Sequence, residues 1–448
     1  MSAIVESRSG WAPGPGHGGE QRARHMQLTA VAIALLGFLA ATNRYVSTSE
    51  DIHRLHDTDS LSYRAMAHAA PGLLHRRIPE WHAERFAVQW VIGSLAKLVH
   101  LGLTPAYFIA VALVIVAICL VLVDLLERIG VSGRAGSVCL ALFVLNPYTL
   151  RSYLLGPAGV GDLVLVLGVT IAVRGLVLRS PVGVLGGLLL GTLARQTAVP
   201  AALVAAAAVV LDPLWLARLG RRRVPFAVAV VALPAACYAI IRIVAHPFSG
   251  PSPSLNVMTL LGAPRSVHAL AEHFARSVFP LLAVSALLLS SWWILRPAAR
   301  RRVGRGDPER QSAGDGRGDV YDLAAFWASL AFGMAIVAQS MALNPVWVSD
   351  NEPRLSALAI VPLAVAVALS LRALERARGT ALPRKVAAAA LALLAIGSFH
   401  HIYTWLRLAD VGETVALQVC VALALTVVMV KWAKRSAGAP SPGGDISP

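Results

Sequence analysis

Long apolar runs separated by short polar turns cover most of the 448-residue chain. Most of these runs are about 16 to 23 residues long, which matches a helix that crosses a hydrocarbon core about 30 Å thick. The pattern therefore predicts an all-α polytopic membrane protein with about twelve transmembrane helices and additional surface helices on its outer face. The expected spans lie near 27–42, 104–126, 134–151, 160–178, 182–195, 198–212, 224–244, 278–296, 321–343, 354–374, 385–407 and 413–431.

Two segments decide how these spans are counted. Residues 86–102 are apolar but carry Gln89, Lys97 and His100, which favours a helix that lies on the outer membrane surface. Residues 182–212 are interrupted by Arg195 and Gln196, so we expect two short helices that meet at an outer turn.

The distribution of basic residues predicts the orientation. The net charge is +16, and the heaviest basic loops are 216–224, 296–306, 372–385 and the tail after Lys431. Because short basic loops stay in the cytoplasm, both termini are expected inside and the first outer loop, 43–103, outside. The charge thus reports membrane topology, and we expect no nucleic-acid partner.

The same patterning predicts one membrane domain. Residues 1–26 are rich in Gly, Pro and Arg and are expected to be a disordered cytoplasmic lead. The transmembrane domain is expected over 27–435, followed by a disordered cytoplasmic tail over 436–448. The four cysteines lie in apolar runs without CxxC spacing, so neither a disulfide framework nor a zinc site is expected.

Acidic residues are concentrated in the first outer loop, where six of the 24 Asp and Glu residues fall between positions 50 and 84. One interpretation is a solvated loop surface. The other is a reactive site: the stretch DTDSLSYRAMA places Asp59, Tyr63 and Met66 at helical spacing, with Asp59 near the start of a short helix. Asp59 is the first candidate for a catalytic carboxylate, Asp57 the second and Asp51 the third.

Arginines recur at the same outer level. Arg85 ends the first loop, Arg195 sits at the turn between two short helices, and Arg354 opens a later helix. Each is compatible with an interfacial arginine that reaches toward water. Together they are a candidate cradle for a lipid phosphate, because a guanidinium binds phosphate oxygens with a bidentate fork.

Asp162, at the outer start of an apolar helix, is either a helix cap or a residue that binds a substrate hydroxyl. The candidate substrate contacts on the outer face are Tyr63, His82, Glu84, Asp162 and Glu352.

This layout resembles the GT-C membrane glycosyltransferases, the class that includes protein O-mannosyltransferases and the enzymes that add aminoarabinose to lipid A. The residues that carry the resemblance are Asp59 in HDTDSLSYRAMA, Arg85 in EWHAERFAVQW, Asp162 in GVGDLVLV and Arg195 in GTLARQTAVP. The motif EPRLSALAIVPLAV, with Arg354 and Pro362, matches a later helix of that class. The large C-terminal outer domain of some members has no counterpart here.

The resemblance implies inverting transfer of a sugar from a polyprenyl-phosphate donor to a hydroxyl of a lipid or glycan acceptor, on the extracytoplasmic face of the cell membrane. Asp59 would act as general base, and Arg85, Arg195 and Arg354 would bind the donor phosphate. No cofactor is required by this chemistry, and the sequence leaves a divalent metal open, without a diagnostic ligand spacing.

Two other function classes remain open from the sequence. A secondary transporter of a small polar or lipid-linked substrate would show repeat symmetry and polar groups near the middle of the bilayer. In a non-enzymatic scaffold or lipid-binding protein, the acidic cluster would be ordinary loop surface.

Overall fold

The computed structural model describes residues 18–43, 59–250, 274–275, 277–304, 316–342, 352–399 and 411–437. Within these ranges the regular secondary structure is helical, apart from an isolated bridge between Ile78 and Ser249. The helices of the first half are α1 (Gly18–Asn43), α2 (Asp59–Ala69), α3 (Glu80–Ala83), α4 (Phe86–Leu98), α5 (Leu103–Ile129), α6 (Gly133–Val144), α7 (Arg151–Leu155), α8 (Val160–Val177), α9 (Pro181–Ala194) and α10 (Ala198–Leu211). The remaining helices are α11 (Pro213–Leu219), α12 (Arg223–Ala245), α13 (Leu282–Gly304), α14 (Gly316–Ala342), α15 (Glu352–Ala357), α16 (Ile360–Arg378), α17 (Arg384–Gly397) and α18 (Val411–Ala437).

Every predicted apolar run contains a helix, but the helices differ in length. Within the described ranges, the helical stretches that are long and apolar enough to cross a membrane are Gly19–Thr42, Leu103–Ile129, Pro157–Val177, Pro213–Phe248 and Val415–Lys434. Six further apolar helices are shorter than these. Length and composition thus identify five spans in the described part of the chain, against about twelve predicted from the apolar runs.

The structure changes one predicted boundary. Helix α1 begins at Gly18, so the helix extends into the segment 1–26, which the sequence suggested to be disordered. The composition of the whole lead misled the prediction, because the Gly and Pro residues are concentrated before Gly18 and the stretch after Gly19 contains helix formers.

Helix α16 forms the centre of the bundle. Every residue from Ile360 to Leu371 is buried, and the helix packs against α6, α8, α13 and α14. A helix that is apolar around its whole circumference is expected in such a position, since no face of it meets a polar environment.

Helices α8 and α9 pack closely against each other. A Cβ atom at Gly168 would lie 2.5 Å from the carbonyl oxygen of Gly187, and one at Gly187 would lie 2.4 Å from the backbone nitrogen of Ala172. Because only glycine leaves room at these positions, the two backbones approach each other directly, as small residues allow in membrane helices.

The two doubtful segments of the sequence fold as short helices. Residues 86–98 form α4, which buries Gln89, Ile92 and Gly93 on one face and exposes apolar side chains such as Leu95 and Leu98 on the other. The run 182–212 divides into α9 and α10, with Arg195 in an extended backbone conformation between them. The short helix α4 and the break at Arg195 both occur where polar residues interrupt an apolar run.

Candidate functional site

The predicted helix that starts at Asp59 is present as α2, and Tyr63 lies one turn after its start. The Tyr63 side chain is buried, and its hydroxyl accepts a hydrogen bond of 2.6 Å from Nη1 of Arg85. Arg85 is the residue immediately before α4. The contact therefore fixes the start of α4 to α2, which places Arg85 beside the helix that carries Asp59.

A close crossing also joins α2 to α4. A Cβ atom at Gly93 would lie 1.9 Å from the carbonyl oxygen of Ala67. The helices can cross at this distance only because Gly93 has no side chain. This crossing determines how α2 rests on the remainder of the bundle.

A buried polar group links these helices to the membrane bundle. Gln89 of α4 is 1 % exposed, accepts a hydrogen bond of 2.7 Å from the Tyr107 hydroxyl of α5, and donates one of 3.3 Å to the carbonyl oxygen of Ala158. The Tyr107 hydroxyl also lies 3.2 Å from the carbonyl oxygen of Tyr63. Ala158 belongs to the 3₁₀ turn Pro157–Gly159, against which α2 packs.

The same turn leads into Asp162, which forms a buried ion pair with Arg195. The side chain of Asp162 is 4 % exposed and that of Arg195 is 7 % exposed. The hydroxyl of Tyr153 donates a hydrogen bond of 2.9 Å to the second carboxylate oxygen of Asp162. Asp162 lies in the first turn of α8, after its N-terminal residue Val160. The alternative in which Asp162 serves as the N-terminal cap of this helix is therefore wrong, because Gly159 occupies that position and the Asp162 side chain bonds to Arg195 and Tyr153.

His82 lies in the short helix α3 and is buried. Its Nδ1 lies 3.1 Å from Oγ of Ser62, and its ring meets the ring of Tyr63 edge to face with centroids 5.4 Å apart. His82 therefore packs against Tyr63 and Ser62 and stabilises the position of the Tyr63 ring.

Glu84 faces helix α12. Its carboxylate accepts a hydrogen bond of 2.9 Å from the Tyr238 hydroxyl and lies 3.0 Å from Nε of Arg242. Burial raises the pKa of the Glu84 carboxyl, while the hydrogen bond from Tyr238 and the charge of Arg242 oppose that rise. These contacts join the segment between α3 and α4 to α12, and the substrate contact suggested for Glu84 by the sequence stays a prediction.

For four of the predicted site residues, the side chain lies outside the described part of the structure. Asp57 lies outside the described residues. Asp59 begins α2, and Glu352 and Arg354 lie in the first turn of α15, but their side chains are outside the described part of the structure.

Arg151 is a candidate site residue that the sequence did not single out. Its side chain is fully buried, and Nη2 donates hydrogen bonds of 2.9 Å to Oγ1 of Thr42 and 3.1 Å to Oγ of Ser398. Its Nε and Nη1 have no hydrogen-bond partner within the described ranges. No carboxylate of the described residues pairs with it either. A buried guanidinium in this state is costly unless an anion approaches it.

Arg151 lies close to the ion pair along the chain. Tyr153, two residues later in the same short helix, is the residue that donates to Asp162. Thr42 is the penultimate residue of α1, which precedes the segment that carries Asp57. The sign of this residue in the sequence is an arginine inside an apolar stretch between two helices, but an arginine at such a place is often only interfacial.

Comparison of the chain with known protein families, with curated proteins and with solved structures finds no match. The described residues contain no group of three His, Cys, Asp or Glu arranged to hold a metal ion. The chemistry of the site therefore has to be argued from its geometry. Hydroxyl, guanidinium and carboxylate groups lie at one end of the bundle, which we call the site end. The side chains that define it are Tyr63, Arg85, Tyr107, Arg151, Tyr153, Asp162 and Arg195.

Proposed function

We propose that this protein is a GT-C-like membrane glycosyltransferase with about twelve spans, which moves a sugar from a polyprenyl-phosphate donor to an acceptor hydroxyl on the extracytoplasmic side. The observation that carries the proposal is the convergence at the site end. Helix α2, which starts at Asp59, packs on the turn Pro157–Gly159, and that turn leads into the ion pair of Asp162 and Arg195.

In the proposed reaction Asp59 is the general base. An aspartate with an ordinary pKa near 3.9 is too weak to remove a hydroxyl proton in advance. It accepts the proton as the acceptor oxygen forms its bond to the anomeric carbon. The bond from that carbon to the phosphate oxygen breaks in the same step, and polyprenyl phosphate leaves as a stable anion. No general acid is required.

Positive charge near the phosphate stabilises the charge that develops on the departing oxygen. Arg195 is already paired with Asp162, which favours a role in holding the site together. Arg151 offers two buried N–H groups that lack hydrogen-bond partners among the described residues, and it lies two residues from Tyr153. We therefore add Arg151 to Arg85, Arg195 and Arg354 as a ligand of the donor phosphate, and we assign it the largest effect on donor affinity.

The test is a transfer assay with the full-length protein in lipid vesicles. The probes are radiolabelled polyprenyl-phosphate hexoses and pentoses, and the measurement is the release of polyprenyl phosphate with and without an added hydroxyl acceptor. We expect Asp59→Asn to abolish release, Asp57→Asn to reduce it less, and both variants to retain the thermal stability of the parent. Glu20→Gln, on the exposed start of α1, is the control. Full turnover by Asp59→Asn would exclude Asp59 as the base, and no release from any donor would exclude the transferase.

A secondary transporter is the alternative, and the break between α9 and α10 is the observation that favours it. Transporters carry charged groups at broken helices near the middle of the bilayer. Here Asp162 lies in the first turn of α8, and Arg195 follows the last residue of α9, so both charges sit at helix ends. An uptake assay in the same vesicles separates the two: accumulation of an intact lipid-linked or free sugar without cleavage would support transport.

A further inference from the structure

The end of the bundle opposite the site end contains an arginine-lined cavity of about 310 Å³ that is widely open to the surface. Helix α5 runs from Leu103 near the site end to Ile129 at this end, and the cavity opens beside Gly130, the residue that follows it. The side chains that give the cavity its character are Arg24, Ser132, Arg372, Glu375, Arg376 and Thr380. We call it the Arg24–Arg372 cavity.

The one carboxylate in this lining is already used by the protein. Oε1 of Glu375 accepts hydrogen bonds of 2.5 Å from Oγ of Ser132 and 2.7 Å from the backbone nitrogen of Leu382. Oε2 accepts one of 3.2 Å from the backbone nitrogen of Ser132. These bonds fix the start of α6 to the segment after α16, so Glu375 forms a rigid wall of the cavity.

The three guanidinium groups outnumber this carboxylate. Arg376 is exposed, and Arg24 and Arg372 are half-buried. Arg372 lies against the end of α5, since a Cβ atom at Gly130 would be 3.7 Å from its Nη2. The lining of the cavity thus contains three guanidinium groups and one carboxylate, and guanidinium forks suit the oxygens of a phosphate.

The position of the cavity along the helices indicates the source of that phosphate. Arg24 lies immediately before the apolar run of α1, and Arg372 and Arg376 lie where α16 changes from buried apolar residues to charged ones. Helices change character in this way at the level of the lipid head groups. The basic loops predict this end to be cytoplasmic, where basic pockets between membrane helices bind acidic lipid head groups.

We propose that the Arg24–Arg372 cavity binds the phosphodiester head group of an anionic phospholipid of the cytoplasmic leaflet. Its volume is at the lower end of ordinary ligand pockets, which suits a head group whose acyl chains remain in the bilayer. The site is separate from the proposed transferase site and does not depend on it.

The test measures lipid binding by the full-length protein in a neutral detergent. The probe is a fluorescent phosphatidylglycerol, with phosphatidylcholine of the same acyl chains as the zwitterionic comparison. The cavity variant is Arg24→Gln/Arg372→Gln/Arg376→Gln. The matched control is Arg218→Gln/Arg221→Gln/Arg222→Gln, which removes three exposed arginines from a basic segment outside the cavity. Each variant loses the same charge.

We expect the cavity variant to bind phosphatidylglycerol at least about tenfold more weakly, because each basic contact contributes to lipid affinity. The control should change affinity by less than about twofold, since its charges only add to the general field. If the triple variant does not fold, Arg24→Gln/Arg376→Gln replaces it and should still weaken binding by about threefold or more.

Three results would overturn the proposal. The first is unchanged phosphatidylglycerol affinity in a folded cavity variant, and the second is an equal loss in the control. The third is saturation of the cavity by inorganic phosphate or glycerol phosphate with the affinity of the lipid, which would identify a soluble ligand instead.

Discussion

The carboxylate of Asp162 and the guanidinium of Arg195 form a buried ion pair between residues 33 positions apart in the chain. The pair joins the first turn of α8 to the break between α9 and α10. Since α8 and α9 also meet through Gly168 and Gly187, the charges and the glycines together fix the relative position of these helices.

Removal of one partner of this pair should destabilise the protein strongly. We expect Asp162→Asn or Arg195→Gln to lower the free energy of unfolding by about 3 to 5 kcal/mol, because each leaves a buried charge without its partner. The double variant Asp162→Asn/Arg195→Gln should lose less than the sum of the two single losses. Denaturant unfolding in detergent gives the three values, and strictly additive losses would mean that the two groups do not stabilise each other.

The variant Arg151→Met should affect the stability of the protein and its affinity for the donor differently. The hydroxyls of Thr42 and Ser398 also donate to the carbonyl oxygens of Phe38 and Ala395, so the loss of the guanidinium leaves both satisfied. We expect the stability to stay equal or to rise by up to about 4 kcal/mol, because the variant removes a buried charge that has no acidic partner among the described residues. Affinity for the polyprenyl-phosphate donor should fall at least about tenfold, as expected for a lost charge-assisted contact.

The control for this variant is Arg76→Gln, which removes an exposed arginine from the segment between α2 and α3. It should leave both stability and donor affinity unchanged. A marked loss of stability in Arg151→Met, with unaltered donor affinity, would assign Arg151 a purely structural role.

The crossing of α2 and α4 gives a prediction about packing. Gly93→Ala places a Cβ atom against the carbonyl oxygen of Ala67, so the two helices must separate. We expect a loss of about 1 to 3 kcal/mol in the free energy of unfolding, as in overpacked cores. Transfer activity should fall as well, because α2 carries the proposed base.

Gly186→Ala is the matched control. Gly186 also lies inside a helix, α9, but a Cβ atom there meets nothing within 4 Å. Alanine has the higher helix propensity, so stability should rise by up to about 1 kcal/mol. Equal effects of the two substitutions would show that the close contact with Ala67 is unimportant.

Glu84 should make stability depend on pH. Burial raises its pKa in the folded protein above the ordinary value of 4.5, so the folded state holds the proton more tightly than the unfolded state. Its contribution to the free energy of unfolding therefore decreases as the pH rises from near 4.5 through the folded pKa, and is constant above it. The pair with Arg242 does not cancel this effect, because the Arg242 side chain is 54 % exposed and screened by solvent.

The measurement compares the parent with Glu84→Gln over that pH range. We expect the stability difference between the parent and the variant to shift in favour of the variant as the pH rises. Parallel stability curves for the two proteins would show that Glu84 does not titrate in this way.

The sequence alone determined the helices. Three local properties of the sequence carried this prediction: the length of the apolar runs, the position of Asp59 before a helical repeat, and the interruption at Arg195. The structure has α2 and the break between α9 and α10 where the pattern predicted them. Local patterns also indicate which polar residues lie at the ends of the helices.

Only the tertiary structure decided how those residues are used. Arg195 pairs with Asp162, Glu84 turns to α12, and Arg151 is buried without an acidic partner among the described residues. In a chain of this composition, apolar faces resemble one another, so hydrophobicity does not specify which helices meet. Close contacts between glycines and a few buried polar groups make that choice, and both depend on residues far apart in the sequence.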